Sequence, residues 1–227
     1  MPEVNPTDPG CLEIGASRED ADLCVILMHG LGADAHDFED VAKMLCEAAS
    51  PRRWRFVLPN AELLPVTINM GMTMPAWYDI LDMSHPRDVD WATVEASQAR
   101  IESLMAAERE DARIILAGFS QGAAMALHVG LRNASRTNGI ALMSGYLLES
   151  EERPAPAGNG SLPIGIFHGT DDAVVPITAA ETTVESLRNA GHKPSFKQYP
   201  GLPHSVSQEE IRDLFQWLSE HGVAGDE

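Results

Sequence analysis

The chain has 227 residues, 44% of them hydrophobic and 22% charged, which suits one folded α/β domain with a substantial core. A formal charge of −18 argues against nucleic acid and acidic membranes as main partners, because these polyanionic surfaces repel it. Three cysteines without CxxC spacing or a nearby histidine predict no metal site. The polar N-terminus lacks a signal pattern and no apolar stretch reaches roughly 18–20 residues, so we expect a soluble, cytoplasmic protein with no integral membrane association.

Apolar runs of strand length alternate with amphipathic stretches of helix length along the chain. Predicted strands cover residues 23–30, 55–60, 113–119, 139–145, 163–169 and 195–200, and predicted helices cover 36–49, 90–110, 121–132, 178–191 and 207–221. Strands that are apolar throughout and separated by helices imply a mostly parallel sheet with helices on both faces. We assign a single α/β domain to residues 21–221, between a polar N-terminal segment (1–20) and a C-terminal tail (222–227).

The segment GFSQG (118–122) stands at a predicted strand-to-helix turn. The pattern G-x-S-x-G in this context is typical of the nucleophile elbow, which lifts a serine Oγ above the end of the sheet. The flanking glycines allow the backbone to approach where a side chain would clash. The segment therefore predicts Ser120 as a catalytic nucleophile, and the alternative is a small residue in a tight turn.

A serine nucleophile needs a base and an acid that orients the base. In a doubly wound sheet, ligands gather at the carboxyl ends of the strands, and His204 follows the last core strand in the Pro/Gly-rich loop YPGLPHSV. His29 and His168 also end strands, but we interpret both as residues that shape turns. Hydrolases with this type of sheet place the acid between serine and histidine in the chain, and HGTDD offers Asp171 and Asp172 there.

Acyl transfer also needs two donors for the developing oxyanion. One is the amide after the nucleophile, here Gln121, and the other comes from the loop after an early strand, here Leu31 in HGLGAD. A plain glycine turn is the alternative for that loop.

Residues 61–80 show no clear period and form a long irregular excursion that is rich in methionine. Because methionine adapts to irregular shapes, we predict an apolar wall for an acyl chain in this segment. The candidate contacts are Leu64, Met72, Met74 and Trp77. A small core beneath a long loop is the alternative.

Six motifs stand in the order LMHGLGADAHDF, MPAWYDI, GFSQGAAMAL, ALMSGYL, FHGTDDAVVP and YPGLPHSV. Together they resemble the phospholipase/carboxylesterase family of α/β-hydrolases, which includes bacterial carboxylesterases and acyl-protein thioesterases. The resemblance implies an α/β-hydrolase fold, Asp172 as the acid of the triad, no cofactor and a possible homodimer. Ala35 departs from the glycine of the family pattern, so any positive φ needed there would be strained.

The sequence thus predicts a serine carboxylesterase with a Ser120–His204–Asp172 triad that acts through an acyl-enzyme. The expected substrate is a small-molecule carboxylic ester with a short to medium acyl chain, and a thioester is an open alternative. A lysophospholipase and an acyl-protein thioesterase are competing enzyme hypotheses. A catalytically inactive homologue that only binds a ligand is the alternative from another class.

Overall fold

The computed structural model describes residues 10–82, 87–150 and 153–222. The strands are β1 (Cys11–Gly15), β2 (Leu23–Met28), β3 (Trp54–Pro59), β4 (Leu63–Val66), β5 (Met72–Pro75), β6 (Ile114–Phe119), β7 (Gly139–Met143), β8 (Ile164–Gly169) and β9 (Ser195–Tyr199). The helices are α1 (Glu39–Ala49), α2 (Trp91–Ala107), α3 (Gln121–Arg132), α4 (Ile177–Asn189) and α5 (Gln208–His221). His85, most of the predicted C-terminal tail and the first nine residues lie outside the described part.

Seven strands form one sheet in the order β1-β3-β2-β6-β7-β8-β9. All neighbours pair in parallel except β1, which runs antiparallel to β3 at the edge. The predicted parallel sheet is therefore confirmed. The edge strand β1 lies within the segment that the sequence assigns to a polar N-terminal region. Its residues are only partly buried, so it lacks the continuous apolar run by which the other strands are recognised.

The core lies on both faces of this sheet. Every residue of β2 is buried, and alternate side chains face opposite clusters: Ile26 packs in the cluster that contains α3 residues, whereas Leu27 packs with α1 and α5 residues. Helices thus cover both faces, as predicted. Each fully buried side chain of this size contributes about 1.5–3 kcal/mol through removal from water, which makes the strands a rigid base for the loops at their ends.

The excursion 61–80 is more regular than the sequence suggested. It folds into the two-stranded antiparallel hairpin of β4 and β5, in which Leu64 pairs with Met74 and Val66 with Met72. The hairpin strands are four residues long and mostly exposed or half-buried, so neither the alternation nor the apolar run of a core strand is present. Such short strands carry too few residues to show a period.

The parallel pairing brings the carboxyl ends of β2, β6, β8 and β9 to one edge of the sheet. The four predicted site segments follow these strands directly. The fold therefore brings together residues that are far apart in the chain.

Candidate active site

Ser120 sits in the sharp turn between β6 and α3 with φ 54° and ψ −118°, a conformation that L-residues rarely adopt. The turn is possible because the helix packs directly against the sheet. A Cβ on Gly118 would lie 2.3 Å from the Gly122 carbonyl carbon, and one on Gly122 would lie 2.3 Å from the Met28 carbonyl oxygen. Both glycines are thus required by close packing, and the Ser120 side chain is left at the mouth of a cavity.

His204 connects the serine to a carboxylate. Its Nε2 lies 3.0 Å from Ser120 Oγ, and its Nδ1 lies 2.7 Å from Asp172 Oδ2. Because a carboxylate only accepts hydrogen bonds, Nδ1 carries the proton and Nε2 is free to accept the serine proton. The structure therefore brings the three predicted residues into a continuous hydrogen-bonded chain with the tautomer that general-base chemistry needs.

Asp172 is held by its own loop. Its Oδ1 accepts hydrogen bonds from the backbone amides of Val174 at 2.9 Å and Val175 at 2.8 Å, which leaves Oδ2 for His204. Burial raises the pKa of the Asp172 carboxyl, but the hydrogen bonds from His204 and the two amides outweigh burial and bring the pKa below its ordinary value. Asp172 is therefore an anion placed to orient an imidazole. Asp171, the sequence alternative, is exposed and bonds to the Thr170 hydroxyl at 2.9 Å.

The other two histidines at strand ends shape turns, as predicted. His29 Nδ1–H donates to the Gly30 carbonyl at 2.7 Å, while its Nε2 accepts from the Ala61 amide at 3.0 Å. His168 Nε2–H donates to the Val175 carbonyl at 2.8 Å and closes the loop that carries the triad carboxylate. Burial lowers the pKa of both imidazoles, so both remain neutral structural groups.

Two residues that line the cavity have backbone amides without an acceptor in the described part of the chain. Leu31 and Gln121 both line the cavity beside Ser120, and neither amide N–H has a hydrogen-bond partner within the described residues. One amide next to the serine and one on the loop after β2 are the pair of positions that the sequence predicts for an oxyanion hole. Ala35 begins a one-turn 3-10 helix after this loop and does not have a positive φ, so the departure from the family pattern causes no strain.

The side chains of Gln121 and Trp77 link three segments and fix the position of these amides. Gln121 Oε1 accepts from the Trp77 amide at 2.8 Å and its Nε2 donates to the Tyr78 carbonyl at 2.7 Å. The Trp77 indole N–H in turn donates to the His29 carbonyl at 2.8 Å, next to the oxyanion loop. This clamp was not predicted from the sequence, although a buried glutamine at the start of a largely apolar helix was a signal for it.

The cavity beside Ser120 has a volume of about 260 Å³. Most of its wall is apolar, and the wall contains one arginine and one aspartate. The lining outside the triad and the oxyanion loop includes Ile68, Ile80, Arg87, Phe119, Tyr146 and Val174. A pocket of this size and character accepts a small, mainly apolar group.

The four residues predicted to form an acyl wall do not line this cavity. Leu64, Met72 and Met74 lie in the β4–β5 hairpin, where Met72 is 56% exposed and Met74 contacts Asn69. Trp77 is fully buried, and its indole supports the oxyanion loop instead of the substrate. The difference arises because the excursion folds as a hairpin with its own pairing, so that only Ile68 and Ile80 from this segment reach the cavity.

No group of three or more His, Cys, Asp and Glu side chains in the described ranges is arranged to hold a metal ion. Among the same residues, no helix is long and apolar enough to cross a membrane. Cys24 is a buried core residue, and burial raises the pKa of its thiol to about 12.

Comparison with known proteins points to one family. The family model described as Phospholipase/Carboxylesterase matches residues 9–222. Acyl-protein thioesterase 1 of Mycosarcoma maydis is 37% identical over 216 residues, covering 86% of this chain and 89% of that protein. Acyl-protein thioesterase 1 of Gibberella zeae is 34% identical over 208 residues, covering 86% of this chain and 88% of that protein. The crystal structure of Arabidopsis thaliana SOBER1 superposes with a TM-score of 0.78 at 26% identity and covers 88% of this chain and 98% of that one.

Proposed function

Because the chain belongs to the phospholipase/carboxylesterase family of α/β-hydrolases and is a serine hydrolase, we propose that it cleaves carboxylic esters and thioesters of short to medium acyl chains. Ser120 is the nucleophile, His204 the general base and Asp172 the group that orients the base. The observation that carries the proposal is the hydrogen-bonded chain of 3.0 Å and 2.7 Å from Ser120 through His204 to Asp172.

The reaction follows from these contacts. Ser120 Oγ attacks the acyl carbonyl carbon while its proton moves to His204 Nε2, and the carbonyl oxygen becomes an oxyanion that accepts from the Leu31 and Gln121 amides. The tetrahedral intermediate collapses when His204 gives the proton to the leaving alcohol or thiol. Water then attacks the acyl-enzyme while its proton moves to His204, and His204 returns that proton to Ser120 Oγ as the carboxylic acid leaves. Asp172 stabilises the imidazolium that forms in both halves of the reaction.

The size of the cavity supports the choice of acyl group. About 260 Å³ is slightly below the range of about 300–1,000 Å³ that is common for drug-sized ligands. The apolar wall suits a hydrocarbon chain of limited length. Thioesters belong to the proposal because the relatives at 34% and 37% identity are acyl-protein thioesterases.

Location and assembly follow from the family alone. We propose a cytoplasmic enzyme that forms a weak homodimer. Analytical ultracentrifugation over a concentration series tests the second point, since a dimer of this kind dissociates on dilution and a monomer sediments unchanged at all concentrations.

A serine-directed fluorophosphonate probe tests the function. Wild type and Ser135→Ala, which removes an exposed serine far from the triad, should be labelled and should hydrolyse p-nitrophenyl butanoate and a butanoyl thioester. Ser120→Ala should not be labelled, and its kcat/KM should fall by at least about 10³-fold. Lack of labelling and of turnover in the wild type would favour the ligand-binding alternative.

A further inference from the structure

A second cavity, of about 240 Å³, adjoins the cavity beside Ser120. It is lined by Leu147, Glu149, Thr178, Ala179, Thr182 and Thr183, the last four on α4. Tyr146 lines both cavities, and within the described ranges it is the residue that they share. Val174 and Val175 in the wall of the first cavity lead along the chain into the α4 residues of the second.

Tyr146 is held firmly in this position. Its hydroxyl shares a hydrogen bond of 2.7 Å with the hydroxyl of the fully buried Tyr78. The Arg87 guanidinium lies over the Tyr146 ring at 5.2 Å from its centroid and donates to the Val174 carbonyl at 2.8 Å. The next residue along, Leu147, donates its amide to the Thr183 hydroxyl at 2.9 Å. A side chain held at its hydroxyl and over its ring face, on a backbone that is itself anchored to α4, is a wall and not a mobile surface group.

We infer that Tyr146 sets the maximum length of acyl chain that the enzyme accepts, by closing the cavity beside Ser120 against the cavity along α4. This inference rests on the proposed esterase and thioesterase function. A chain that enters from the serine meets the Tyr146 ring before it can reach the space along α4. The two volumes are similar, so removal of the ring nearly doubles the space open to the chain.

The energetic consequence is a sharp limit on chain length. Each methylene that a pocket accepts or rejects changes kcat/KM by about 10- to 200-fold. Chains that end before Tyr146 gain from burial, whereas longer ones must leave methylenes in water or displace the ring. The ratio of kcat/KM for a long ester to that for a short ester therefore measures whether Tyr146 limits the chain length. This ratio does not depend on how much of a variant is correctly folded.

The experiment compares Tyr146→Ala with wild type on p-nitrophenyl decanoate and butanoate, with active enzyme counted by fluorophosphonate titration of Ser120. The decanoate-to-butanoate ratio of kcat/KM should rise about ten-fold or more in Tyr146→Ala. Tyr146→Phe keeps the ring and loses only the hydroxyl, so its ratio should stay within about three-fold of wild type. Tyr146→Leu serves where the alanine variant does not fold, and it should shift the ratio in the same direction.

A second substitution tests where the longer chain goes. Thr182 is exposed on α4 and lines the second cavity, so Thr182→Trp fills that space without disturbing the core. In the Tyr146→Ala background it should return the ratio to within about three-fold of wild type. An unchanged ratio in active Tyr146→Ala or Tyr146→Leu, or an equal rise in Tyr146→Phe, would overturn the inference. Failure of the proposed function looks different, because the wild type itself would then show no Ser120-dependent hydrolysis of butanoate.

Discussion

A cavity opens at each end of the parallel strands, and the two cavities differ in volume and in the hydrogen bonds that their lining side chains make. At the carboxyl ends about 260 Å³ lies beside Ser120, and at the amino ends about 800 Å³ lies among residues that include Arg113, Asn138 and His192. The larger cavity is lined by two histidines and several hydroxyls. However, the His192 Nε2–H donates to the Pro156 carbonyl at 3.0 Å, and the His221 ring packs against Trp217 at 4.7 Å between centroids, so neither is bonded to a serine among the described residues. Volume alone therefore does not identify the reactive site, whereas a convergent hydrogen-bonded chain does.

Backbone strain divides the two edges in the same way. In the part of the chain that the structure describes, the non-glycine residues with positive φ are Met70, Ser120 and Ser144. Ser120 and Ser144 follow the carboxyl ends of β6 and β7, and Met70 lies in the β4–β5 hairpin. Each such conformation costs about 1–3 kcal/mol and persists only where packing enforces it. The carboxyl edge thus stores strain where the chemistry is proposed, and the amino edge does not.

The largest expected effect is at the triad acid. In Asp172→Asn the side-chain oxygen must stay on the Val174 and Val175 amides, which turns the NH2 group towards His204 Nδ1. The imidazole then carries its proton on Nε2 and cannot accept one from Ser120. We expect kcat/KM for p-nitrophenyl butanoate to fall on the order of 10³- to 10⁴-fold.

The neighbouring carboxylate provides the matched control. Asp171→Asn changes the same charge one residue away, at an exposed side chain that bonds only to the Thr170 hydroxyl among the described residues. Its kcat/KM should remain within about three-fold of wild type. Equal losses of kcat/KM in Asp172→Asn and Asp171→Asn would mean that activity depends on the negative charge of the loop and not on the orientation of His204.

These two aspartates also mark the limit of what the sequence can predict. The parallel sheet, the elbow at Ser120 and the position of His204 follow from local patterns, because each depends on residues close together in the chain. The choice between Asp171 and Asp172 depends on which side chain its loop turns inward, and only the family pattern indicated it. Contacts between distant segments, such as those of Trp77 with Gln121 and His29, leave no period or spacing in the sequence.

The next effect in size concerns Glu210, which lies in the first turn of α5 after the His204 loop. Its amide donates to Ser207 Oγ at 3.1 Å, which is half of a capping box, but neither carboxyl oxygen has a hydrogen-bond partner within the described residues. Burial raises the pKa of Glu210 from 4.5 to about 7, against a smaller lowering by the backbone amide of Ser207 and with a small further rise from the negative charges of Asp213 and Asp172.

The pH dependence of stability follows from this shift. The unfolded chain releases the Glu210 proton near pH 4.5 and the folded protein near pH 7, so stability is lost as the pH rises through this window. Glu210→Gln imitates the protonated form and should match wild type near pH 4.5, then become more stable by about 3 kcal/mol above about pH 8. Urea unfolding at both pH values measures this difference. Glu209→Gln changes an exposed residue in the same turn and should show no such pH-dependent difference in stability from wild type. If Glu210→Gln also showed no difference, the raised pKa of Glu210 would be refuted.

A smaller effect is expected from the clamp on the oxyanion loop. Trp77→Phe keeps an aromatic ring in the core but removes the hydrogen bond of 2.8 Å to the His29 carbonyl. The loop that carries the Leu31 amide should then be less well positioned for the transition state than for the ground state. We expect kcat to fall about ten-fold with KM nearly unchanged, because an oxyanion donor acts mainly in the transition state. A rise in KM at constant kcat would instead indicate a role in substrate binding.

The smallest effect is expected at the amino edge of the sheet, and it directly tests the comparison between the two cavities. Ser135 is exposed and lines the larger cavity, so Ser135→Trp places a large side chain in that space. Since no part of the proposed reaction uses this edge, kcat/KM for esters and thioesters should stay within about two-fold of wild type, as in Ser135→Ala. A loss of about ten-fold or more in a variant whose urea unfolding matches wild type would mean that the two ends of the sheet are energetically coupled. The site would then have to be described as extending through the strands, from the amino-edge cavity to Ser120.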